Sequence, residues 1–211
     1  MSKLGFLVAL VALAMGMTTA PVAAAATERS TSPVLTVPPP APSVVGSSTL
    51  VRTDNGISAT LRTTGLEPGH AVTMWWVVFN DPDGCEAGFP GISRCGPEDA
   101  HAGRGGVSPN HATGHVIDAD GTGEFGSHLR VGDTSRALAG PGLVNPHGAE
   151  VILVLKSHGP KIKGLVADQL HTFGGGCDDQ SDAPPGTPPE LLGEPGQNDC
   201  AEVQFSVHQP E

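Results

Sequence analysis

The segment that most limits how this chain can fold is residues 71–79, Ala-Val-Thr-Met-Trp-Trp-Val-Val-Phe. It is rich in β-branched and aromatic side chains and has turn-forming residues on both sides, which is typical of a buried β-strand. Because side chains alternate across a strand, Trp75 and Trp76 must point to opposite faces. Both faces are apolar. We therefore expect a central strand with one face in the core and the other covered by loops.

Further segments show strand-like periodicity. Asp54-Asn55-Gly56 predicts a hairpin that joins residues 49–53 and 57–63, and Asp120-Gly121 predicts a second hairpin. The apolar segment 149–157 is expected to lie beside residues 71–79. The remaining strand predictions are residues 112–118, 123–130 and 201–208, whereas 164–173 is compatible with a helix or a strand. About seven short strands without a long helix predict an all-β antiparallel β-sandwich with an immunoglobulin-like layout.

The amino terminus resembles a secretory signal peptide. Lys3 precedes an apolar run, and the alanines up to Ala26 offer a cleavage site, so residues 1–26 are expected to be removed. Residues 27–43 are rich in Pro, Ser and Thr and predict an extended or disordered linker. Residues 44–211 then form a single domain. We expect a secreted or periplasmic protein without a membrane anchor.

The charge of the chain limits its partners. The sequence has 22 acidic and 11 basic residues, which gives a formal net charge of −11. Nucleic acids and anionic membranes both require a cationic surface, so neither is an expected partner. The expected partner is therefore an extracellular protein or a glycan, and Trp75 and Trp76 are the candidate binding surface.

Four cysteines in an exported chain predict two disulfide bonds, with three possible connectivities. We favour Cys85 with Cys95 and Cys177 with Cys200, because each pair brackets a segment rich in Gly, Pro and Asp. Each closure would stabilise the fold by about 3 kcal/mol in the chain-entropy model. The first pair lies within residues 81–110, a long irregular segment that is either functional or disordered.

The second predicted hairpin suggests a metal site. A two-residue turn at Asp120-Gly121 would place His111, His115 and His128 on one face of the hairpin. Three imidazoles this close are suitable ligands for zinc or copper. The alternative is a row of solvated polar side chains on an exposed face.

The turn itself also carries acidic residues. Asp118, Asp120 and Glu124 alternate in the manner of calcium ligands, but a hairpin turn explains the Asp-Gly pair without an ion. Our main expectation is therefore a protein without a cofactor. Zinc or copper is the first alternative and calcium the second.

The sequence gives little support for an enzyme. It lacks the Gly-x-Ser-x-Gly, His-Glu-x-x-His and phosphate-loop motifs. Ser157 and His158 are adjacent on a predicted strand, so they point to opposite faces and cannot act together. We assign no catalytic residue.

Two strings carry a resemblance to known proteins. Residues 65–85, Gly-Leu-Glu-Pro-Gly-His-Ala-Val-Thr-Met-Trp-Trp-Val-Val-Phe-Asn-Asp-Pro-Asp-Gly-Cys, and residues 148–160, Gly-Ala-Glu-Val-Ile-Leu-Val-Leu-Lys-Ser-His-Gly-Pro, resemble a group of uncharacterised exported microbial proteins. The Gly-Leu-x-Pro-Gly turn is also similar to one in extracellular chordin-type β-domains. The resemblance implies an exported β-fold and no particular activity.

The sequence as a whole predicts a disulfide-stabilised, non-enzymatic binding or structural module. A histidine-dependent zinc or copper protein is the alternative, and a hydrolase of unknown type is the third hypothesis.

Overall fold

The computed structural model describes residues 27–37 and 41–210, so the predicted signal peptide lies outside the described residues. Within these ranges there are eight strands and three short α-helices. The strands are β1 (Glu28–Thr36), β2 (Val44–Thr53), β3 (Gly56–Thr63), β4 (His70–Phe79), β5 (Val107–Val116), β6 (Gly123–Arg130), β7 (Glu150–Pro160) and β8 (Ala201–His208). The helices are α1 (Pro97–His101), α2 (Val166–His171) and α3 (Pro189–Leu192). No helix in the described ranges is long and apolar enough to span a membrane.

All eight strands belong to one antiparallel sheet, in the order β5-β4-β7-β8-β1-β2-β3-β6. The two edge strands approach each other and nearly close the sheet into a barrel-like shape. Ser127 Oγ on β6 donates a hydrogen bond to Ala112 O on β5 at 3.2 Å, and His115 Nε2 donates one to Glu124 O at 2.7 Å. The seam therefore closes through side chains that bind backbone carbonyls.

The predicted all-β antiparallel class is confirmed, but the arrangement differs from the expected seven-stranded, immunoglobulin-like sandwich. The difference arises at Asp120-Gly121, which connects β5 and β6 without forming a regular hairpin. β5 pairs with β4, and β6 pairs with β3. The chain thus crosses between the two edges of one sheet. The first predicted hairpin is confirmed, since Thr53 pairs with Gly56 across Asp54-Asn55.

The concave side of the sheet holds the main hydrophobic core. Trp76 is 1% exposed there and packs among aliphatic side chains from most of the strands. Alternate residues of β3, β4 and β7 point inward. The largest of these neighbours are Leu50, Ile57, Leu61, Met74, Phe125, Leu153 and Leu155.

The convex side of β4, β7 and β8 is covered as well. Trp75 is 3% exposed and belongs to a second apolar cluster on this side, as the alternation of the sequence predicts. Two irregular segments contribute to the cover, residues 81–106 and residues 164–193. The members of the cluster from the sheet are Trp75, Phe79, Val107, Ile152, Val154, Phe205 and Val207.

The prediction of a linker over residues 27–43 is wrong for Glu28–Thr36, which form β1 between β2 and β8. The strand is hidden in the sequence because, apart from the buried Val34, the residues on its inward side are polar, as at Ser30 and Ser32. Ser30 Oγ lies 2.8 Å from Nδ1 of His208, which points into the barrel-like interior from β8. The Ser- and Thr-rich composition therefore fits a polar part of the interior rather than a solvated tether.

His208 connects three strands inside the sheet. Its Nε2 atom lies 2.8 Å from Ser48 Oγ on β2, and that hydroxyl is 2.6 Å from Ser206 Oγ. Burial lowers the pKa of His208 to about 4, and the nearby charge of Arg52 acts in the same direction. The imidazole is therefore neutral at physiological pH, and it binds Ser30 and Ser48 through its two nitrogens.

The favoured disulfide pairing is confirmed. Cys85 is bonded to Cys95 and Cys177 to Cys200, with sequence separations of 10 and 23 residues. The first bond lies within residues 81–106, and the second joins Cys177 of residues 164–193 to Cys200, just before β8. They constrain segments that contain little regular structure of their own.

Truncation of Trp76 tests the position of the main core. We expect Trp76→Ala to lower the free energy of unfolding by about 3 to 5 kcal/mol, because it leaves a large cavity in a closed interior. Val44→Ala is the control, since Val44 is 69% exposed, and its effect should stay within about 0.5 kcal/mol. Denaturant unfolding measures both. Equal effects would contradict the assignment of Trp76 to the core.

Candidate functional site

The convex side of β4, β7 and β8 forms an apolar floor. The strand register places Trp75 opposite Val154, and Val154 opposite Phe205. The next row of paired residues across the three strands is polar. It consists of Thr73, Lys156 and Glu202. The floor is therefore apolar along most of its length and polar at one end.

A cavity of about 150 Å³ lies between this floor and the covering segments. Its walls come from the first disulfide loop, from α1 and from the segment after α2. Most of the lining is apolar or aromatic. The lining residues are Val37, Trp75, Val77, Phe79, Phe89, Gly96, Pro97, Ala100, His101, Pro109, Leu138, Ile152, Val154, Lys156, Phe173, Asp182, Pro184, Glu202 and Phe205.

A buried carboxylate on β7 fixes one side of the first covering segment. Glu150 is 0% exposed and lies at the end of the apolar floor away from Lys156. Its two oxygens accept hydrogen bonds from the backbone N–H groups of Arg94, at 2.8 Å, and Cys95, at 3.0 Å. The first disulfide is thereby held against the sheet.

A second buried carboxylate, Asp99 in α1, organises the same segment internally. It accepts hydrogen bonds from the backbone N–H groups of Glu86, Ala87 and Gly96 at 2.9 to 3.1 Å, and from Arg104 Nε at 2.7 Å. Burial alone would raise the pKa of Asp99, but these hydrogen bonds outweigh it and lower the pKa to about 2. The ionised carboxylate of Asp99 thus connects separate parts of the first covering segment through these hydrogen bonds.

A chain of hydrogen bonds connects the cavity floor to the second covering segment. Trp75 Nε1 can only donate, and it donates to Thr73 Oγ1 at 2.7 Å. The Gly175 carbonyl can only accept, so His158 Nδ1 must donate to it at 3.0 Å. His158 Nε2 is then the acceptor for the Thr73 hydroxyl at 2.9 Å. The donor and acceptor of each hydrogen bond in this chain are therefore fixed. The imidazole of His158 is neutral, because burial lowers its pKa to about 4.

Lys156 is the charged group at the polar end of the floor. Its residue is 6% exposed, and its Nζ lies 3.6 Å from the ring centroid of Phe173. Among the described residues, Nζ makes no hydrogen bond and no ion pair. Burial lowers the pKa of Lys156 below its usual value, although the carboxylates of Glu202 and Asp182 oppose this shift. The ammonium donors are thus available to a group inside the cavity.

The three histidines predicted to bind zinc or copper are not brought together. A β-bulge leaves Ala112 unpaired, because Met74 faces Thr113 while Trp75 faces His111. The extra residue puts His111 and His115 on opposite faces of the sheet. His115 stacks on Phe125 at 4.4 Å, while His128 is exposed and its Nδ1 lies 2.9 Å from Ser58 Oγ.

His111 instead supports the wall of the cavity. Its Nε2 donates to the Leu170 carbonyl at 2.9 Å, and its ring meets Trp75 edge to face at 5.1 Å. Burial lowers the pKa of His111 to about 4, with the charge of Arg136 as the next cause. A neutral His111 thus fixes α2 and Trp75 relative to each other.

Two of the three acidic residues considered for calcium, Asp120 and Glu124, have other partners. Asp120 Oδ1 accepts hydrogen bonds from the N–H group of Thr122 at 3.0 Å and from its hydroxyl at 2.8 Å, and Glu124 forms an ion pair with Arg62 at 2.8 Å. Within the described ranges, the one group of possible metal ligands in mutual reach is His158, Cys177 and Cys200. These cysteines are bonded to each other, so they offer no thiolates.

Of the two tryptophans proposed as a binding surface, Trp75 borders the cavity and Trp76 lies in the core. No sequence motif marks Lys156 or Glu150 as part of the site. A signal for them exists, because Glu150 and Lys156 flank Ile152 and Val154 at a spacing of two residues. Charged groups at both ends of an apolar strand face indicate that polar groups lie over the two ends of that face.

Comparison with family models, with curated proteins and with solved structures finds no match to this chain. The cavity and the groups around it are therefore interpreted from their own geometry.

The role of Asp99 predicts a specific pH dependence. Its pKa is about 2 in the folded protein against 3.8 in the unfolded chain, so its contribution to stability is complete above pH 3.8 and is lost as the pH falls towards 2. We expect Asp99→Asn to lower the unfolding free energy by about 2 to 4 kcal/mol at neutral pH.

Denaturant unfolding at several pH values measures the difference between wild type and Asp99→Asn, which should shrink towards pH 2. Asp83→Asn is the control, because the Asp83 side chain is 85% exposed and its ion pair with Arg94 lies on the surface. A difference for Asp99→Asn that is the same at all pH values would contradict the role of the carboxylate.

Thr73 allows a matched test of the hydrogen-bond chain. Thr73→Val keeps the shape of the side chain but leaves Trp75 Nε1 and His158 Nε2 buried without a partner, so it should cost about 2 kcal/mol or more. Thr73→Ser retains the hydroxyl and should cost less than Thr73→Val. Thermal and denaturant unfolding compare the two variants, and the reverse order would show that the hydroxyl is not the important group.

Proposed function

We propose that this protein is an extracytoplasmic, non-enzymatic binding module whose cavity takes a small, largely apolar molecule. The observation that carries the proposal is an apolar cavity of about 150 Å³ with the ammonium group of Lys156 at one end. Apolar cavities of roughly this volume bind a molecule such as benzene. The two disulfide bonds are typical of an oxidising compartment, which supports an exported protein.

The lining of the cavity favours an apolar ligand over a glycan. A sugar carries several hydroxyl groups, and each would lose hydrogen bonds to water on entering the cavity. Trp75, Phe89 and Phe173 offer ring surfaces, whereas the polar groups are confined to the end near Lys156. A molecule with an apolar body and a single hydrogen-bond acceptor matches this distribution.

The covering segments are also arranged to keep the cavity open. Glu150 and Asp99 bind backbone N–H groups of the first segment, and His158 binds the second through Gly175. Because both segments are also disulfide-bonded, they cannot easily collapse onto the floor. A cavity with fixed walls is the kind of preformed site in which small ligands bind.

Binding of fluorobenzene, followed by ¹⁹F NMR line broadening, tests the proposal. We expect saturable binding to the wild-type protein and its loss in Ala100→Leu, because Ala100 lines the cavity and a larger side chain would occupy it. Ala167→Leu is the matched control, since Ala167 is exposed in α2. Absence of binding to the wild type, or equal binding to Ala100→Leu, would contradict the proposal.

A further inference from the structure

Lys156 differs from the other lysines that follow Lys3 in the sequence. These are Lys161 and Lys163, and both are exposed, whereas Lys156 is 6% exposed inside the cavity lining. In the described part of the chain, the one ring or charge in direct contact with its Nζ is the face of Phe173 at 3.6 Å. A primary amine therefore faces a small apolar cavity without a hydrogen-bond acceptor bound to it.

Burial makes the neutral amine of Lys156 easier to form than that of an exposed lysine. Burial lowers the pKa of Lys156, while Glu202, Asp182 and Asp179 act in the opposite direction without reversing the shift. The neutral amine is the nucleophilic form of lysine, and desolvation in an apolar pocket is a known way of activating it. The exposed lysines of this chain have no such surroundings.

We propose that Lys156 captures small apolar aldehydes as an imine within the cavity. The inference rests on the proposed binding function and specifies the chemical class of the ligand. The Nζ lone pair attacks the carbonyl carbon, and a proton moves from nitrogen to oxygen to give a carbinolamine. Loss of water then leaves a C=N bond to Nζ. The reaction needs no oxidant or reductant, and it is reversible by hydrolysis.

The charges around the cavity favour a neutral carbonyl compound over a carboxylate. Glu202 lies directly across from Lys156 in the β7–β8 pair, and Asp182 also lines the cavity. Two carboxylates carry more negative charge than one lysine can neutralise, so a further anion would be repelled. An aldehyde brings no charge, and its carbonyl group can lie at the polar end while its apolar body lies along Trp75 and Val154.

The same carboxylates are placed to assist the proton transfers. Formation of a carbinolamine and loss of water each require a proton to move between nitrogen, oxygen and solvent. Glu202 and Asp182 are exposed on one side and line the cavity on the other. They can therefore exchange protons with water at the end of the cavity where the amine lies.

Reductive trapping tests the inference on the mature protein. The protein is incubated with benzaldehyde and cyanoborohydride in an amine-free buffer, and the modified lysine is located by peptide mass spectrometry. Reduction of the imine leaves one benzyl group on the captured nitrogen. We expect this group on Lys156 ahead of Lys161 and Lys163, and we expect its loss from that position in Lys156→Arg. Lys156→Arg retains a cation but has no primary amine.

A second variant keeps the lysine and changes only its access. Ala100→Leu occupies the cavity from α1, so it should abolish labelling of Lys156 while labelling of Lys161 and Lys163 stays unchanged. Labelling of Lys156 that persists in this variant would overturn capture in the cavity. This arm remains informative even if Lys156→Arg fails to fold.

The inference and the binding function fail in different ways. Benzyl groups found only on the exposed lysines, together with normal fluorobenzene binding, would overturn imine formation and leave the binding function in place. Absence of fluorobenzene binding would overturn the binding function itself. Labelling of Lys156 that is reduced by an excess of fluorobenzene would support both, because the two molecules would then compete for one cavity.

Discussion

The strands β4 and β7 are apolar on both faces, and most of the structure follows from the need to cover both. Trp75 and Trp76 are adjacent in sequence, yet each is more than nine-tenths buried on its own side of the sheet. One side is covered when the sheet curls and nearly closes. Among the residues that the structure describes, no second sheet packs on the other side, and irregular segments cover it instead. A sequence with two apolar faces and no second sheet thus requires long loops that pack as a layer.

Irregular segments can form such a layer only if their backbone groups find partners. Helices and sheets satisfy N–H groups internally, but the first covering segment contains little of either. Glu150 and Asp99 provide the missing acceptors, five backbone N–H groups between them. His158 has the corresponding role for the second segment, where it donates to a carbonyl. The buried polar side chains supply hydrogen-bond partners for the backbone, and the disulfides constrain it. Together they replace the regular structure that these segments lack.

The features that follow from local pattern could be predicted from the sequence: β4, β7, β8, the first hairpin and the favoured disulfide pairs. Two features depend on contacts that local pattern does not contain. β1 is rich in Ser and Thr, and the inward Ser30 finds its partner in His208 of a distant strand, so the composition of β1 resembles a linker. The bulge at Ala112 inserts one residue into β5 and reverses the side of every residue beyond it. The predicted grouping of His111, His115 and His128 depended on an unbroken register, which is why it failed.

The cavity also follows from how its walls are held. A void in a protein is costly, because the side chains around a space such as this cavity of about 150 Å³ lose packing contacts. Flexible loops would normally relax into such a space and recover some of those contacts. Here each covering segment is constrained by a disulfide and bound to the sheet by a buried polar group, so relaxation is restricted. The interactions that stabilise the covering layer therefore also preserve the space beneath it, and a molecule that fills this space would regain contacts that the protein alone cannot make.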